Sequence, residues 1–381
     1  MRQVFHNLCT YSADLYGVNS ALYELGGLIV MHDASGCNST YTTHDEPRWY
    51  TMDSMVYVSG LNERDAILGN DERLITDVTD VAFREHPKFI ALNRSVLPAY
   101  MAVDLRGIAR IIEKRTGIPT FGFLTNGMDT YIRGVGMAFE ALAKRFVQKP
   151  AAGRPEHDGL SVNLIGVTPL DFSINGNAEK LEESVREMGY TVQSNWAMGS
   201  TLEEIAAAAE ADVSLVVSAG GLPAAQYLYE AFGIPYVIGF SCGKDSFEAL
   251  RTLLRRAADE HSCFNLYQDD IRTKAVYNTP VIIIGEAVHA SAIRYRMEAE
   301  QGYKNIRIIC PLEEDAGILR ADDYRCIDED TTAEILNHAE LVIADPVYRR
   351  VCREDLEFVD DPHEAYSGRM YHDKRRVFVG L

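Results

Sequence analysis

Apolar positions along this chain fall into two alternating patterns. One is a short continuous apolar run. The other is a longer stretch with apolar residues three and four places apart. Residues 12–25 carry Leu15, Val18, Leu22 and Leu25 on one helical face, with Ser12 placed to cap the helix and Gly26-Gly27 to stop it. Leu28 to Met31 then reads as a buried strand, followed by the loop His32-Asp-Ala-Ser-Gly36-Cys37. Asn70 can cap a helix whose inner face is Leu74, Val78, Val81 and Ala82. A strand over Phe89–Leu92, a helix over 102–115 and a strand over 119–124 complete this first unit.

The stretch 147–160 is polar, bears proline and glycine, and lacks periodicity, so it reads as a linker. The alternation then restarts. Strands are expected at 161–167, 214–218 and 236–240, and helices at 176–188 and 245–260. Thr201 and Glu204 are spaced as a capping box. A third unit opens near Pro280 with the strand PVIII, a helix to about residue 300, and strands at 306–309 and 340–344. Short buried strands separated by helices indicate parallel sheets covered on both faces. The expected fold is therefore α/β with three Rossmann-like parallel-sheet domains, at 1–150, 151–275 and 276–381, and a cleft where they meet.

Charge narrows the partners. The formal net charge of −19 repels nucleic-acid backbones and anionic lipid, so neither is an expected partner. No stretch approaches the ~20 apolar residues needed to cross a bilayer, and the opening residues do not resemble a secretion signal. The expected setting is the cytoplasm. Seven cysteines without such a signal argue against a disulfide framework and leave two readings, buried thiols or metal ligands.

Phosphate-binding motifs are weak. No G-x-G-x-x-G follows the first strand of any unit. The nearest approach to a P-loop is Gly239-Phe-Ser-Cys-Gly243-Lys244-Asp245, one residue short between its glycines and ending in a carboxylate where a hydroxyl should hold magnesium. Cys9 precedes a helix and Cys37 follows a buried strand, but their separation of 28 positions is no metal motif by itself. Cys242, Cys263, Cys310, Cys326 and Cys352 occur singly beside apolar residues, as core thiols do. Ligands of open α/β sheets gather at strand-end loops, which makes Asn126, Met128, Tyr131, Ser218, Gly220 and Glu286 candidate substrate-lining residues.

Several segments, in order, resemble the nitrogenase component 1 family, which includes nitrogenase, dark protochlorophyllide reductase and nickel-sirohydrochlorin cyclase types. Leu8-Cys9-Thr10, and then Leu28 through His32 to Gly36-Cys37, is similar to the family's early cysteine followed by a strand and a Gly-Cys loop. Gly60-Leu-Asn-Glu63-Arg-Asp65-Ala-Ile-Leu-Gly69 through Leu74 resembles its L-x-E-x-D-x-V-x-G-G segment. Pro87-Lys-Phe-Ile-Ala-Leu with Pro98 and Asp104 resembles the strand and loop that come next. Thr201-Leu-Glu-Glu-Ile, Leu215-Val-Val-Ser218 and Phe232-Gly-Ile-Pro-Tyr236 look like its second domain. The likeness covers residues 1–260 by motif and the remainder by pattern.

The resemblance implies an iron–sulfur reductase component that receives electrons from a separate ATP-hydrolysing iron protein and reduces a small molecule or tetrapyrrole. Cys9 and Cys37 would be metal ligands. A [4Fe–4S] cluster takes about four thiolates. A homodimer would supply them as two pairs, and a related second subunit could serve equally well. Two departures stand out. Leu97 occupies the place of the family's third cluster cysteine, in Arg94-Ser95-Val96-Leu97-Pro98, and Ser218 falls where nitrogenase anchors its large cofactor through cysteine. Dinitrogen is therefore not the expected substrate. The alternatives are a metallocluster or cofactor assembly scaffold, or a small-molecule binding protein that has lost the cluster.

Overall fold

The apolar runs become strands of three separate sheets, all parallel. The structure, a computed structural model, describes residues 6–8, 11–34, 36, 46–150, 159–268, 276–312 and 317–380. The first sheet has the order β2-β1-β3-β4, from β1 (Leu28–His32), β2 (Met55–Val58), β3 (Ile90–Arg94) and β4 (Thr120–Gly122). Its helices are α1 (Asp14–Leu22), α2 (Glu63–Leu68), α3 (Asp71–Glu85), α4 (Val96–Tyr100), α5 (Leu105–Thr116) and α6 (Tyr131–Phe146).

The second sheet has the order β6-β5-β7-β8-β9, from β5 (Ser161–Ile165), β6 (Thr191–Asn195), β7 (Val213–Val216), β8 (Tyr236–Ile238) and β9 (Phe264–Asn265). It carries α7 (Pro169–Phe172), α8 (Asn177–Glu187), α9 (Leu202–Ala206), α10 (Leu222–Phe232) and α11 (Lys244–Glu260). The third has the order β12-β11-β10-β13-β14, from β10 (Val281–Ile284), β11 (Ile306–Cys310), β12 (Tyr324–Arg325), β13 (Leu341–Ala344) and β14 (Glu357–Asp360). Its helices are α12 (Ala287–Ala299), α13 (Glu329–Leu336) and α14 (Glu364–Ser367). Central strands such as β1, β5 and β10 are buried along their whole length, which is why they read as unbroken apolar runs.

Local signals hold at several element ends. Asn70 accepts from Arg73 N–H at 3.3 Å, and Thr201 with Glu204 forms a complete reciprocal cap on α9. Others are corrected by tertiary contacts. Ser12 does not cap α1. Its N–H donates to Ala365 O and its own carbonyl accepts from Tyr131 N–H. Asp14 meets the helix start instead, accepting from Leu15 N–H at 2.8 Å. The fifth helix begins at Leu105 rather than 102, because Ala102 takes a left-handed conformation and Asp104 caps the helix through Gly107 N–H at 3.0 Å.

Four elements of the first unit, β2, α2, α4 and α6, escaped the sequence reading. Strand β2 is a short, half-exposed edge. Helix α6 contains Gly134 and Gly136, which weaken a helical pattern. Gly134 has a packing reason. A Cβ there would lie 1.8 Å from Asp14 O, and one at Gly17 would lie 2.0 Å from Tyr131 O. Helices α1 and α6 therefore cross with their backbones in contact.

One apolar core runs from α1 and α6 through the second sheet into the third, from Val18 and Phe139 to Ile283 and Tyr366. A smaller cluster, including Val30, Leu74, Val78, Leu92 and Ile108, covers the other face of the first sheet. None of the helices among the described residues is long and apolar enough to cross a membrane.

Candidate functional site at the strand ends

The loops that leave the C-terminal ends of β5, β7, β10 and β13 meet the start of α6 and the segment around α14. Here the chain buries carboxylates, histidines and tyrosines together. Glu286, one residue past Gly285 at the end of β10, is 1% exposed. Its carboxylate caps α12 by accepting from Val288 N–H at 3.0 Å and His289 N–H at 2.9 Å. It also accepts from Ala219 N–H at 2.9 Å, on the turn that ends β7, and so ties the second sheet to the third. Burial pushes its pKa up, and the nearby Asp171 charge pushes the same way. The three backbone donors only partly offset them.

Asp171 lies in the short helix after β5, its side chain 4% exposed. Tyr131, fully buried at the start of α6, donates its hydroxyl to Asp171 Oδ1 at 2.5 Å. Burial and the Asp171 charge raise the pKa of this phenol. His363 Nε2 lies 3.4 Å from the same oxygen, and the His363 ring stacks on Tyr366 at 4.5 Å. Asp345, at the end of β13, accepts from Val347 N–H, His363 N–H and Ser367 Oγ. His289 Nε2 lies 2.9 Å from Asp361 Oδ2. Burial disfavours the charged imidazole, but the Asp361 carboxylate prevails and the His289 pKa rises.

A small cleft, with a volume of about 50 Å³, opens onto this cluster. Asp171, His289, Asp361, His363 and Glu364 line it, along with Arg375 and Phe378 from the C-terminal segment. Arg375 pairs with Glu364 and is lowered to about 10, chiefly by burial. Tyr366 OH and His289 Nδ1 are buried and have no hydrogen-bond partner among the described residues. The ensemble can store protons and pass them toward the cleft.

The candidates read from the sequence divide. Tyr131, Ser218, Gly220 and Glu286 are all buried at this junction. Ser218 Oγ accepts from Gly220 N–H at 3.3 Å and shapes the turn after β7. Gly220 packs so closely on α6 that an added Cβ would lie 2.7 Å from Val135 Cγ1. Asn126 and Met128 instead belong to the loop after β4. There Asn126 Oδ1 accepts from Met128 N–H and Asp129 N–H, and Met128 is 69% exposed. Asp14 pins this loop by accepting from Asn126 N–H at 2.7 Å and Gly127 N–H at 2.9 Å.

Asp171, Asp345, His289, Asp361 and His363 were missed. The strand-end rule that selected Glu286 also reaches Asp171 and Asp345, whereas no element was read near His363.

Cys9, Cys37 and His44 lie outside the described residues. His32 is satisfied by Ser59 Oγ at 2.9 Å and its pKa is lowered, chiefly by burial. Thiolates are the donor type an iron–sulfur cluster takes, whereas Leu97, 45% exposed on α4, offers no donor. Ser95 Oγ is buried with no partner among the described residues. No group of three or more His, Cys, Asp or Glu among the described residues is arranged to hold a metal ion. The loop resembling a P-loop leads into α11, where a Cβ on Gly243 would lie 2.3 Å from Glu300 Oε1 and Asp245 N–H donates to that oxygen. A carboxylate thus meets the helix end that a phosphate would need.

A family model described as nitrogenase component 1 type oxidoreductase matches residues 24–305. Among curated proteins, the chain is 25% identical over 213 residues to the nitrogenase iron-molybdenum cofactor biosynthesis protein NifE of Methanosarcina barkeri, covering 53% of this chain and 44% of that protein. It is 24% identical over 248 residues to a light-independent protochlorophyllide reductase component of Pelodictyon phaeoclathratiforme, covering 64% and 45%. The nitrogenase molybdenum-iron protein alpha chain of Clostridium pasteurianum is 22% identical over 224 residues, covering 58% and 40%. The matched stretch thus spans less than half of each of these relatives. Among solved structures, nitrogenase Cp1 at pH 6.5 superposes with a TM-score of 0.70 at 12% identity, covering 95% of this chain and 87% of that one, which establishes a common fold.

Proposed function

Because the chain belongs to the nitrogenase component 1 type oxidoreductase family, we propose that it is the iron–sulfur component of a cytoplasmic two-component reductase acting on a small molecule or tetrapyrrole. The observation that carries this reading is the buried acid cluster at the strand ends. Reduction of an unsaturated substrate consumes protons as well as electrons. Groups that hold protons near neutral pH beside a cleft are what that chemistry needs.

In this reading Glu286 holds a proton at its carboxyl, kept there by burial and by Asp171. Tyr131 and His363 meet on Asp171 and link α6 to the cleft wall. His289, oriented by Asp361, presents a second protonated group to the same space. A cluster of the [4Fe–4S] type would supply single electrons when bound. Its ligands would be Cys9 and Cys37, completed by the same pair from a second copy or by a related subunit. Leu97 and Tyr100 after β3, Leu124 and Met128 after β4, and Ile67 and Leu68 after β2 are exposed in the segments that follow the strands of the first sheet. So much exposed apolar surface supports a subunit contact there. The electron donor would be an ATP-hydrolysing iron protein. The three sheets would correspond to domains at 1–150, 151–275 and 276–381.

Anaerobic purification with iron and sulfide analysis tests the cluster. A firmly held, reducible cluster that is lost in Cys9→Ala and Cys37→Ala supports the reading. A colourless protein, or a cluster that survives both substitutions, refutes it. Reduction only on addition of the iron protein and ATP supports the donor. A second reading, a cofactor-assembly scaffold, is favoured by the match to several NifE proteins. A cluster that transfers intact to an acceptor protein without substrate turnover would decide for it.

A further inference from the structure

We propose that Cys310 and Cys326 form a two-thiolate site for a soft metal ion. The two are 16 positions apart in sequence. The parallel pairing of β11 with β12, in which Cys310 lies opposite Arg325, brings them side by side. Cys326 N–H donates to Cys310 O at 2.8 Å. Both thiols then turn to a single acceptor. Cys326 Sγ lies 2.9 Å from Leu312 O, and Cys310 Sγ lies 3.8 Å from the same oxygen. Cys326 reaches this position in a left-handed backbone conformation with φ of 48°, uncommon for a residue with a side chain and concentrated at functional or strained positions.

The surroundings suit a cation held by sulfur. Cys310 is buried at the end of β11, whereas Cys326 is exposed, so an ion can enter from solvent on one side. Both sulfurs lie near enough to Tyr11 for their charge to disfavour its ionisation. Arg325, the nearest basic residue in sequence, donates to Leu319 O and Arg320 O. Asp328 and Glu329 begin α13 just beyond, and Glu329 stays ionised by holding the N–H groups of His6, Asn7 and Leu8. Two convergent thiols select a soft cation such as copper(I). Binding displaces the two thiol protons to solvent and transfers no electrons.

Cadmium(II) is the probe, added under reductant to the full chain carrying Cys9→Ala and Cys37→Ala, so that the cluster cysteines cannot contribute. The expected result is one cadmium per chain with sulfur-to-metal absorption in the ultraviolet and release of two protons. Cys326→Ser and Cys310→Ser should each abolish it, and Cys352→Ser should not. Cys326 is exposed, so its serine variant should keep the parent's melting curve and separate loss of binding from loss of fold. Cys326→His, which restores a donor, should recover weaker binding. Unchanged cadmium stoichiometry in Cys326→Ser, or no binding by the parent, would overturn the site. Either result leaves the reading of Cys9 and Cys37 untouched.

Discussion

Tyr131 shows how one side chain serves both fold and chemistry. Its ring is fully buried and its hydroxyl donates to Asp171, which also faces His363. Tyr131→Phe keeps the ring but leaves a buried carboxylate one donor short. The expected cost is about 1–3 kcal/mol of stability, read by chemical denaturation. If the proton path of the proposed reductase runs here, turnover should also fall and its pH profile should change. A variant with wild-type stability and an unaltered profile would remove Tyr131 from the mechanism. The strand-end rule pointed to this residue by position only. The carboxylate that gives the position its chemistry comes from the short helix α7, 40 residues away.

At the scale of elements, the start of α1 carries a pH-dependent contact. Burial raises the Asp14 pKa to about 6, despite N–H donors from Asn126, Gly127 and Leu15. The folded state therefore binds a proton between the unfolded value near 4 and about 6, where the unfolded chain has already lost it. The stability that Asp14 contributes is complete below about pH 4 and is lost as pH rises through about 6, a change of about 3 kcal/mol. Urea unfolding from pH 4 to 7 should show this decline in the parent and lack it in Asp14→Asn. Equal slopes in the two proteins would exclude Asp14 as the source. The same helix crosses α6 through Gly17 and Gly134. Gly134→Ala would drive a methyl into Asp14 O and should cost about 3 kcal/mol or more, unlike Gly233→Ala at an open helix end, where strain in the left-handed backbone is the only cost. Similar melting temperatures for the two variants would show that the helices can separate without penalty.

For the molecule as a whole, the three sheets are distinct in hydrogen bonding but share one apolar core that reaches from α1 to Tyr366. The second and third sheets should therefore unfold together. Fluorescence of Trp196, buried beside Phe139, and far-ultraviolet circular dichroism should follow one denaturation curve. A separate early transition comprising most of the circular dichroism change would mean that the sheets are thermodynamically independent. Polar ties such as Glu286 to Ala219 reinforce the shared core at the same junction that forms the cleft.

Sequence alone determined the alternation of strands and helices, the parallel sheets, most central strands, the caps at Asn70 and Thr201, and the family. These are local or ordered signals, since an apolar run buried on both faces and a capping side chain act within a few residues. Glu286 was legible because it directly follows a strand. Asp171, His363, Asp361 and Arg375 became a site only when loops from two sheets and the C-terminal segment were brought together. No periodicity records which strand ends will face each other. Ser12 lost its expected capping role for the same reason, because its backbone was taken by Ala365 and Tyr131 from distant parts of the chain. The pairing of Cys310 with Cys326 was likewise decided by the register of β11 on β12, a tertiary fact that their spacing in the sequence does not encode.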